Sequence, residues 1–323
     1  MGEPLKTSLS SLHSCLKLQD SARGGKATLI AKDIFGFSLD VSPQEVAYCS
    51  SLLFNEQNGL VKFLKLAVGL REFENVKADI QRFFVEFISS NSKRYTIDQL
   101  KNLKDQSLSM MICDQSVKVR TESINVISKI VTIGDFDESF GIKDLIEKVW
   151  SECLKRTVSA TLKSAIHSLI GLLCEKFPDL IGEEKLRRIP RIYLPTLKQE
   201  MEITKKKPEM PVIAGCFKGF ASFLKTHSEM LDDNSTKELF KYLKKSLMYK
   251  DYSRYEVLKA AMNLINTHGT LWKEYLTKDA EEIIQALNHW SDHLNRDVKY
   301  LAMDTVNYVL LQISVFISEQ GKV

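Results

Sequence analysis

The sequence is poor in glycine and proline, with 14 and 7 residues respectively in a chain of 323. Folds rich in β-strands need many turns, and tight turns use glycine and proline. The composition therefore argues against an all-β fold. Wholesale disorder is excluded as well, because 44% of the residues are hydrophobic and 27% are charged, enough to build a sizeable core.

Paired cysteines and long apolar runs are also missing. The six cysteines lie far apart, and no Cys-x-x-Cys pair occurs. Most of them sit in apolar helical stretches, which is typical of small buried hydrophobes in a reducing compartment. No run of 18 or more uncharged apolar residues occurs, and the N-terminus has no signal-peptide pattern. We therefore expect neither a membrane-spanning segment nor a membrane partner.

Helical periodicity is what the sequence has in quantity. Apolar residues recur on one helix face in many stretches, as in Phe73, Val76, Ile80, Phe83, Phe84 and Phe87. Capping boxes are predicted at Ser42–Glu45, Thr96–Gln99 and Ser235–Glu238. These signals predict an all-α chain with roughly a dozen helices of about 11–20 residues. The most loop-like linker is 204–211, where Pro208 and Pro211 interrupt a helix.

The helices also repeat along the chain. Apolar residues near the starts of successive helices are separated by 43, 51, 44 and 41 residues, and they are Val119, Leu162, Ile213, Val257 and Val298. A period of about 40–47 residues with two helices per unit is typical of HEAT and armadillo arrays. We therefore predict one HEAT/armadillo-like α-solenoid of antiparallel helix pairs over residues 1–323, with about six to seven pairs.

Motifs for catalysis, nucleotides and metals are weak or missing. His289 and His293 have the i, i+4 spacing of metal ligands, but the glutamate of His-Glu-x-x-His is missing, so a polar helix face is the better interpretation. Gly24-Gly25-Lys26 lacks the first glycine of a phosphate loop and is interpreted as a turn between helices. Gly215 and Gly219 predict close helix packing. No catalytic residue, cofactor or metal site is predicted.

Charge is unevenly distributed although the net charge is only +4. Residues 183–207 contain eight basic and four acidic residues, and residues 237–259 contain seven and three. Residues 135–152 are acidic, with six acids against two lysines. In a solenoid the two basic segments could line one edge and follow a phosphate backbone without reading bases. Solvated helix faces are an equally good explanation.

Two stretches resemble a known family. Residues 207–224, with Ala214-Gly215-Cys216 at the centre of the match, resemble the N-terminal region of the catalytic subunit of the DNA-dependent protein kinase. A second match runs from Ser50-Ser-Leu-Leu-Phe54 through Gly59-Leu60 to Glu72-Phe73. The likeness extends from about Val46 to the C-terminus, whereas the first forty residues fit poorly. These are packing motifs, so they indicate common descent and identify no site.

The resemblance implies a non-catalytic HEAT-repeat arm at the start of a much longer kinase chain. It implies that the arm helps to hold double-stranded DNA ends together with the Ku heterodimer in non-homologous end joining. Any serine/threonine kinase activity would belong to sequence outside this chain. Nuclear localisation, or the nucleus together with the cytoplasm, fits this implication and a reducing compartment. The expected partners are DNA ends, Ku and the remainder of the kinase chain.

Nine cations of the two basic segments are the candidate contacts for a DNA backbone: Arg187, Arg188, Arg191, Lys205, Lys206, Lys207, Lys244, Lys245 and Arg254. The alternative is a protein-binding HEAT scaffold or adaptor without nucleic-acid contact. An independent enzyme is a third class, kept because missing motifs do not disprove it.

Overall fold

The computed structural model describes residues 2–17, 23–37, 43–90, 95–134, 136, 138–155, 159–202, 208–249 and 254–320. Every regular element in these ranges is a helix, which confirms the predicted all-α class. The chain divides into two compact units, Met1–Lys148 and Val149–Val323. A single array across both units stays a prediction.

The first unit contains two layers of helices. α2, α5 and α7 pack in succession, while α1, α4 and α6 form the second layer and contact the first through the pairs α1–α2, α4–α5 and α6–α7. The helices are α1 Gly2–Lys17, α2 Arg23–Phe37, α3 Pro43–Leu53, α4 Leu60–Ala67, α5 Glu74–Ser90, α6 Ile97–Cys113 and α7 Val117–Ile133, with α8 Ile142–Cys153 crossing into the second unit.

A buried ion pair joins neighbouring helix pairs in the first unit. Lys77 on α5 donates from Nζ to Asp114 Oδ2 at 2.5 Å, and both side chains are almost fully buried. Asp114 also accepts the backbone N–H groups of Gly69 and Ser116. Burying two charges is costly, and these additional hydrogen bonds help to offset that cost.

The second unit repeats the two-layer plan. α9, α12, α14 and α17 pack in succession in one layer, and α11, α13 and α16 form the other. The helices are α9 Ala160–Lys176, α10 Pro178–Ile181, α11 Glu183–Glu202, α12 Met210–His227, α13 Asp233–Leu247, α14 Tyr255–His268, α15 Lys273–Lys278, α16 Ala280–Trp290 and α17 Arg296–Gln320. Each unit is thus a stack of helix pairs, as the predicted α-solenoid requires.

The predicted repeat anchors coincide with real helix starts. Leu162, Ile213, Val257 and Val298 lie in the first turns of α9, α12, α14 and α17, and all four are buried. Each anchor therefore lies in the core of the second unit. The spacing seen in the sequence is the spacing of this layer, which confirms the repeat in the second unit.

Ring N–H groups tie successive helices of both layers together. In the layer of α9, α12, α14 and α17, His227 Nε2 donates to the Cys174 carbonyl at 3.3 Å, and His268 Nε2 donates to the Ala221 carbonyl at 2.8 Å. In the other layer, the indole of Trp290 donates to the Leu247 carbonyl at 3.0 Å. Each bond satisfies a buried polar group that would otherwise be costly.

Helix α9 and helix α12 cross at unusually short range. A Cβ atom on Gly219 would lie 2.7 Å from the His167 carbonyl oxygen and 2.7 Å from a ring carbon of Tyr193. Gly171 faces the Gly219 backbone equally closely, and Gly215 faces Ser164. The prediction that Gly215 and Gly219 serve close packing is confirmed.

Three local predictions from the sequence have different outcomes in the structure. The Thr96–Gln99 capping box is present in full. Gly24, Gly25 and Lys26 lie inside α2, so their interpretation as a turn is wrong; Gly24 lets the start of α2 approach the backbone of Glu72. The α13 cap is Asp232, whose carboxylate accepts the Ser235 N–H, so the predicted Ser235 cap is also wrong. Ser42 lies outside the described residues.

The cysteines and prolines also have defined positions. All six cysteines are free thiols, and four of them are buried. Two prolines, Pro190 and Pro195, lie inside α11 and each removes one backbone donor from that helix. Pro211 lies in the first turn of α12, where a missing N–H has no cost, so the loop ends before it.

Candidate nucleic-acid interface

The candidate cations lie on neighbouring elements of the second unit. Arg187, Arg188 and Arg191 are on α11, Lys244 and Lys245 are on α13, and Arg254 precedes α14. Lys205, Lys206 and Lys207 lie outside the described residues. Since α11 and α13 are in contact, the structure brings parts of the two basic segments together.

The first two arginines of α11 are paired with glutamates one turn earlier. Arg187 contacts Glu183 at 2.5 Å, and Arg188 contacts Glu184 at 2.6 Å. All four side chains are more than half exposed. Exposed i, i+4 pairs of this kind stabilise a helix by only about 0.3–0.5 kcal/mol, so a phosphate could displace the glutamates at little cost.

Arg191 points to the start of α13 and forms no ion pair with any described residue. The pKa of Asp232 is lowered mainly by its hydrogen bonds with Ser235 and to a smaller extent by the charge of Arg191. Arg191 and Asp232 line a groove of about 420 Å³ between α11 and the start of α13. Pro190 and Leu194 line it from α11, and the carboxylates Glu229 and Glu238 stand on the other wall. The groove therefore carries both signs of charge.

The two lysines of α13 are held by their neighbours. Lys244 contacts Asp279 at 2.9 Å and Glu282 at 2.8 Å. The hydrogen bond with Glu282 is the main cause of the raised pKa of Lys244. Lys245 donates to the Met201 carbonyl at the end of α11 at 2.5 Å. Both ammonium groups are thus committed to intramolecular contacts.

Arg254 stacks its guanidinium over the ring of Tyr249, with 4.3 Å to the ring centroid. Such stacking holds the planar group against the aromatic face and leaves its edges for hydrogen bonds. Arg254 has further interactions beyond this one. Among the described candidates, Arg254 is the one stacked on an aromatic ring.

Counting charges along the sequence overstated the positive excess on this surface. The i, i+4 glutamates of α11 could have been found from sequence, because that spacing places them beside Arg187 and Arg188. Asp279 and Glu282 could not, since they reach Lys244 from another helix pair. Sequence reasoning therefore counted the acids within the basic segments but did not pair them with the arginines of α11, and it missed the carboxylates that reach Lys244 from residues 279 and 282.

A cysteine and a histidine that the sequence did not single out lie together in the second unit. Cys153 Sγ is 3.8 Å from His167 Nδ1. Burial raises the pKa of Cys153 to about 11 and lowers that of His167 to about 3. A nucleophilic pair needs the opposite shifts, a thiolate beside an imidazolium. This pair is therefore packing and not a catalytic site.

No group of three or more metal-ligating side chains comes together within the described ranges. His289 and His293 instead stand beside Trp290, with ring centroids 5.3 and 5.8 Å away. The i, i+4 spacing therefore places both imidazole rings beside the indole of Trp290, whose N–H donates to the Leu247 carbonyl.

Comparison with known proteins gives a consistent result. The family model "DNA-PKcs, N-terminal" matches residues 47–323. The DNA-dependent protein kinase catalytic subunit of Xenopus laevis is 28% identical over 287 residues, which cover 84% of this chain and 7% of that protein. Its counterpart from Canis lupus familiaris is 24% identical over 96% of this chain and 8% of its own length.

A third relative agrees with these two. The protein of the same name from Dictyostelium discoideum is 26% identical over 82% of this chain and 6% of its own length. The chain therefore spans less than a tenth of the relatives it matches. The family model that matches this chain describes the N-terminal part of DNA-PKcs.

Proposed function

This chain belongs to the DNA-PKcs N-terminal family, and from that premise we propose that it is a helical arm that helps to bind double-stranded DNA ends. The arm acts together with the Ku heterodimer in non-homologous end joining, in the nucleus, and is continuous with the remainder of a kinase chain. The observation that carries the proposal is the family match over residues 47–323.

The surface of the second unit supports a backbone contact without base readout. Arg191 forms no ion pair with a described residue, Arg254 is stacked on an aromatic ring, and the glutamates on Arg187 and Arg188 are easily displaced. Contacts of this kind neutralise phosphates and show little preference for sequence.

Salt dependence tests the proposal directly. Three to five phosphate contacts give a slope of about −3 to −4.5 for log K against log salt concentration. Reversing Lys205, Lys206 and Lys207 to glutamate should weaken binding to all duplexes alike and flatten the slope by about 1–3. The matched control is Lys62→Glu with Lys65→Glu on α4, in the other unit and outside the basic segments.

A second variant uses the ion pairs seen in the structure. Glu183→Gln with Glu184→Gln removes both carboxylates from Arg187 and Arg188 and leaves the arginines in place. If these arginines meet phosphates, affinity for duplex DNA should rise by roughly 3–5-fold, because each of the two exposed i, i+4 pairs is worth about 0.3–0.5 kcal/mol. Unchanged affinity would remove Arg187 and Arg188 from the interface.

A protein-binding scaffold without nucleic-acid contact is the second candidate. This candidate is favoured by the intramolecular contacts of Lys244 and Lys245, because they leave fewer cations available for phosphates than the sequence suggests. No binding to duplex DNA at low salt, or equal effects of the triple variant and its control, would favour this candidate over the first.

A further inference from the structure

The groove between α11 and the start of α13 has walls of opposite charge. Arg187 and Arg191 stand on the α11 wall. The opposite wall is made by the turn 228–230 and the start of α13, and it carries three carboxylates: Glu229, Asp232 and Glu238. Pro190 and Leu194 are buried between the walls and form an apolar floor. A ligand in this groove therefore meets cations on one side and carboxylates on the other.

The two arginines are not held by the carboxylates across the groove. Arg191 forms no ion pair with a described residue, and Arg187 is paired with Glu183 of its own helix. That pair is exposed on both sides, so a ligand carboxylate can replace Glu183 at little cost.

The carboxylates of the other wall pair with no lysine or arginine in the described part of the chain. Asp232 caps α13, and Glu238 accepts a hydrogen bond from the Tyr242 hydroxyl at 3.0 Å. Glu229 lies 3.7 Å from His227 Nδ1. The negative charge of this wall is therefore available to a basic group.

A proline gives the α11 wall a main-chain acceptor as well. Pro195 has no N–H, so the Arg191 carbonyl four residues earlier loses the donor that an α-helix normally provides. Residues four apart lie on the same helix face, and both of these line the groove. The carbonyl therefore lies on the groove side of α11, where the main-chain N–H of an extended peptide can bind to it.

The α11 wall also has the spacing of an extended peptide. Between residues 187 and 195 the helix rises about 12 Å, the length of about four residues in an extended chain. Arg187 and Arg191 are about 6 Å apart along the axis, close to the ~6.7 Å between alternate residues of a strand. Alternate side chains point to one side and those between them to the other, here toward the carboxylates.

Ligands with charge of one sign fit the groove poorly. A DNA backbone can reach Arg191 at the rim, but Glu229 and Glu238 repel a phosphate that enters. A purely basic segment is repelled by Arg187 and Arg191 in the same way. A segment whose charges alternate meets an opposite charge on each wall.

We propose that this groove binds an extended segment of a partner protein in which acidic and basic residues alternate. The acidic residues face Arg187 and Arg191, and the basic residues face Glu229, Asp232 and Glu238. This inference goes beyond DNA binding and does not depend on it.

Fluorescence anisotropy with residues 1–323 and two labelled octapeptides tests the proposal. Both peptides have capped ends and contain four glutamates and four lysines, alternating in one and in two blocks in the other. Composition and net charge are thus equal, but the block peptide presents like charges to at least one wall. At low ionic strength the alternating peptide should bind at least about 5-fold more tightly.

Two charge reversals on opposite walls sharpen the test. Arg191→Glu and Glu229→Lys should each weaken binding of the alternating peptide by at least about 5-fold. The matched control is Arg188→Glu, because Arg188 is an exposed arginine of the same helix that is paired with Glu184 and does not line the groove. This control should leave the affinity for the peptide unchanged.

Several results would overturn the proposal. Equal binding of the two octapeptides, or no binding of either, would show that the groove does not read alternation. Stronger binding to Glu229→Lys would indicate plain attraction of acids to α11. Dimerisation of the chain that Arg191→Glu abolishes would assign the groove to a second copy. Duplex affinity is measured on the same variants, and Arg188→Glu should weaken only the duplex, so the peptide and DNA proposals can fail separately.

Discussion

Because α9 and α12 cross closely at Gly219, adding a single methyl group there should clearly lower the free energy of unfolding. In Gly219→Ala the new methyl group would lie 2.7 Å from the His167 carbonyl oxygen and 2.8 Å from the Tyr193 hydroxyl oxygen. Ordinary carbon–oxygen contacts are several tenths of an ångström longer. Both neighbours are fully buried and are joined by a 2.6 Å hydrogen bond, so neither can move freely.

Two opposing effects set the magnitude. Alanine is favoured over glycine inside a helix by up to about 1 kcal/mol. Overpacking costs about 1–3 kcal/mol, and straining the Tyr193–His167 hydrogen bond adds about 0.5–1.5 kcal/mol. The free energy of unfolding should therefore fall by roughly 1–3 kcal/mol. For a unit of this size that lowers Tm by about 3–10 °C. Gly219→Leu should cost more still.

Thermal and urea unfolding followed by circular dichroism at 222 nm measure this change. The matched control is Gly25→Ala on α2, where a new Cβ would meet nothing within 4 Å. The control should be neutral or stabilising by up to about 1 kcal/mol. If Gly219→Ala is as stable as wild type or gains stability like the control, the close crossing is not rigid and the reasoning fails.

Two further predictions concern buried polar groups. Lys77→Met leaves the Asp114 carboxylate buried without its cation, so the free energy of unfolding in urea should fall by about 3–5 kcal/mol. Adding Asp114→Asn removes the unpaired charge and should recover part of that loss. Equal stability of the single and the double variant would contradict this expectation. Burial, aided by the charge of Lys163, lowers the pKa of His167 to about 3. Folding then excludes a proton that the unfolded chain binds below about pH 6.5, so stability should fall as pH drops from 6.5 toward 3, by about 2 kcal/mol at pH 5. His167→Phe should flatten this dependence, and an unchanged slope would assign it to other groups such as His268, whose pKa is also lowered by burial.

Local signals in the sequence were sufficient for the helices and for their repeat. Thr96 and Gln99 are three residues apart, so their capping box depends on nothing distant. Leu162 and Val257 mark the repeat because each is buried in the first turn of its helix and must be apolar there. The glycine spacing at Gly219 predicted a close crossing because a helix with that spacing offers a groove for another backbone.

Features that depend on contacts between helix pairs could not be predicted in this way. The carboxylates beside Lys244 come from residues 35 and 38 positions later, and nothing in a local window links them. The α13 N-cap is a separate and local miss: Asp232 lies three residues before Ser235, and its carboxylate accepts the Ser235 N–H, so the helix begins earlier than the Ser235 signal predicted. The electrostatic character of the candidate interface therefore had to come from the structure.

The ring donors that connect successive helices have a consequence for how this architecture can change over time. His227, His268 and Trp290 all donate to main-chain carbonyls, which every amino acid supplies. A substitution at Cys174, Ala221 or Leu247 can thus leave the acceptor unchanged, provided that the new side chain fits. Only one partner of each link is tied to a particular residue type. An array held together in this way can exchange many side chains and keep its helix spacing, which suits a region whose relatives share about a quarter of its residues.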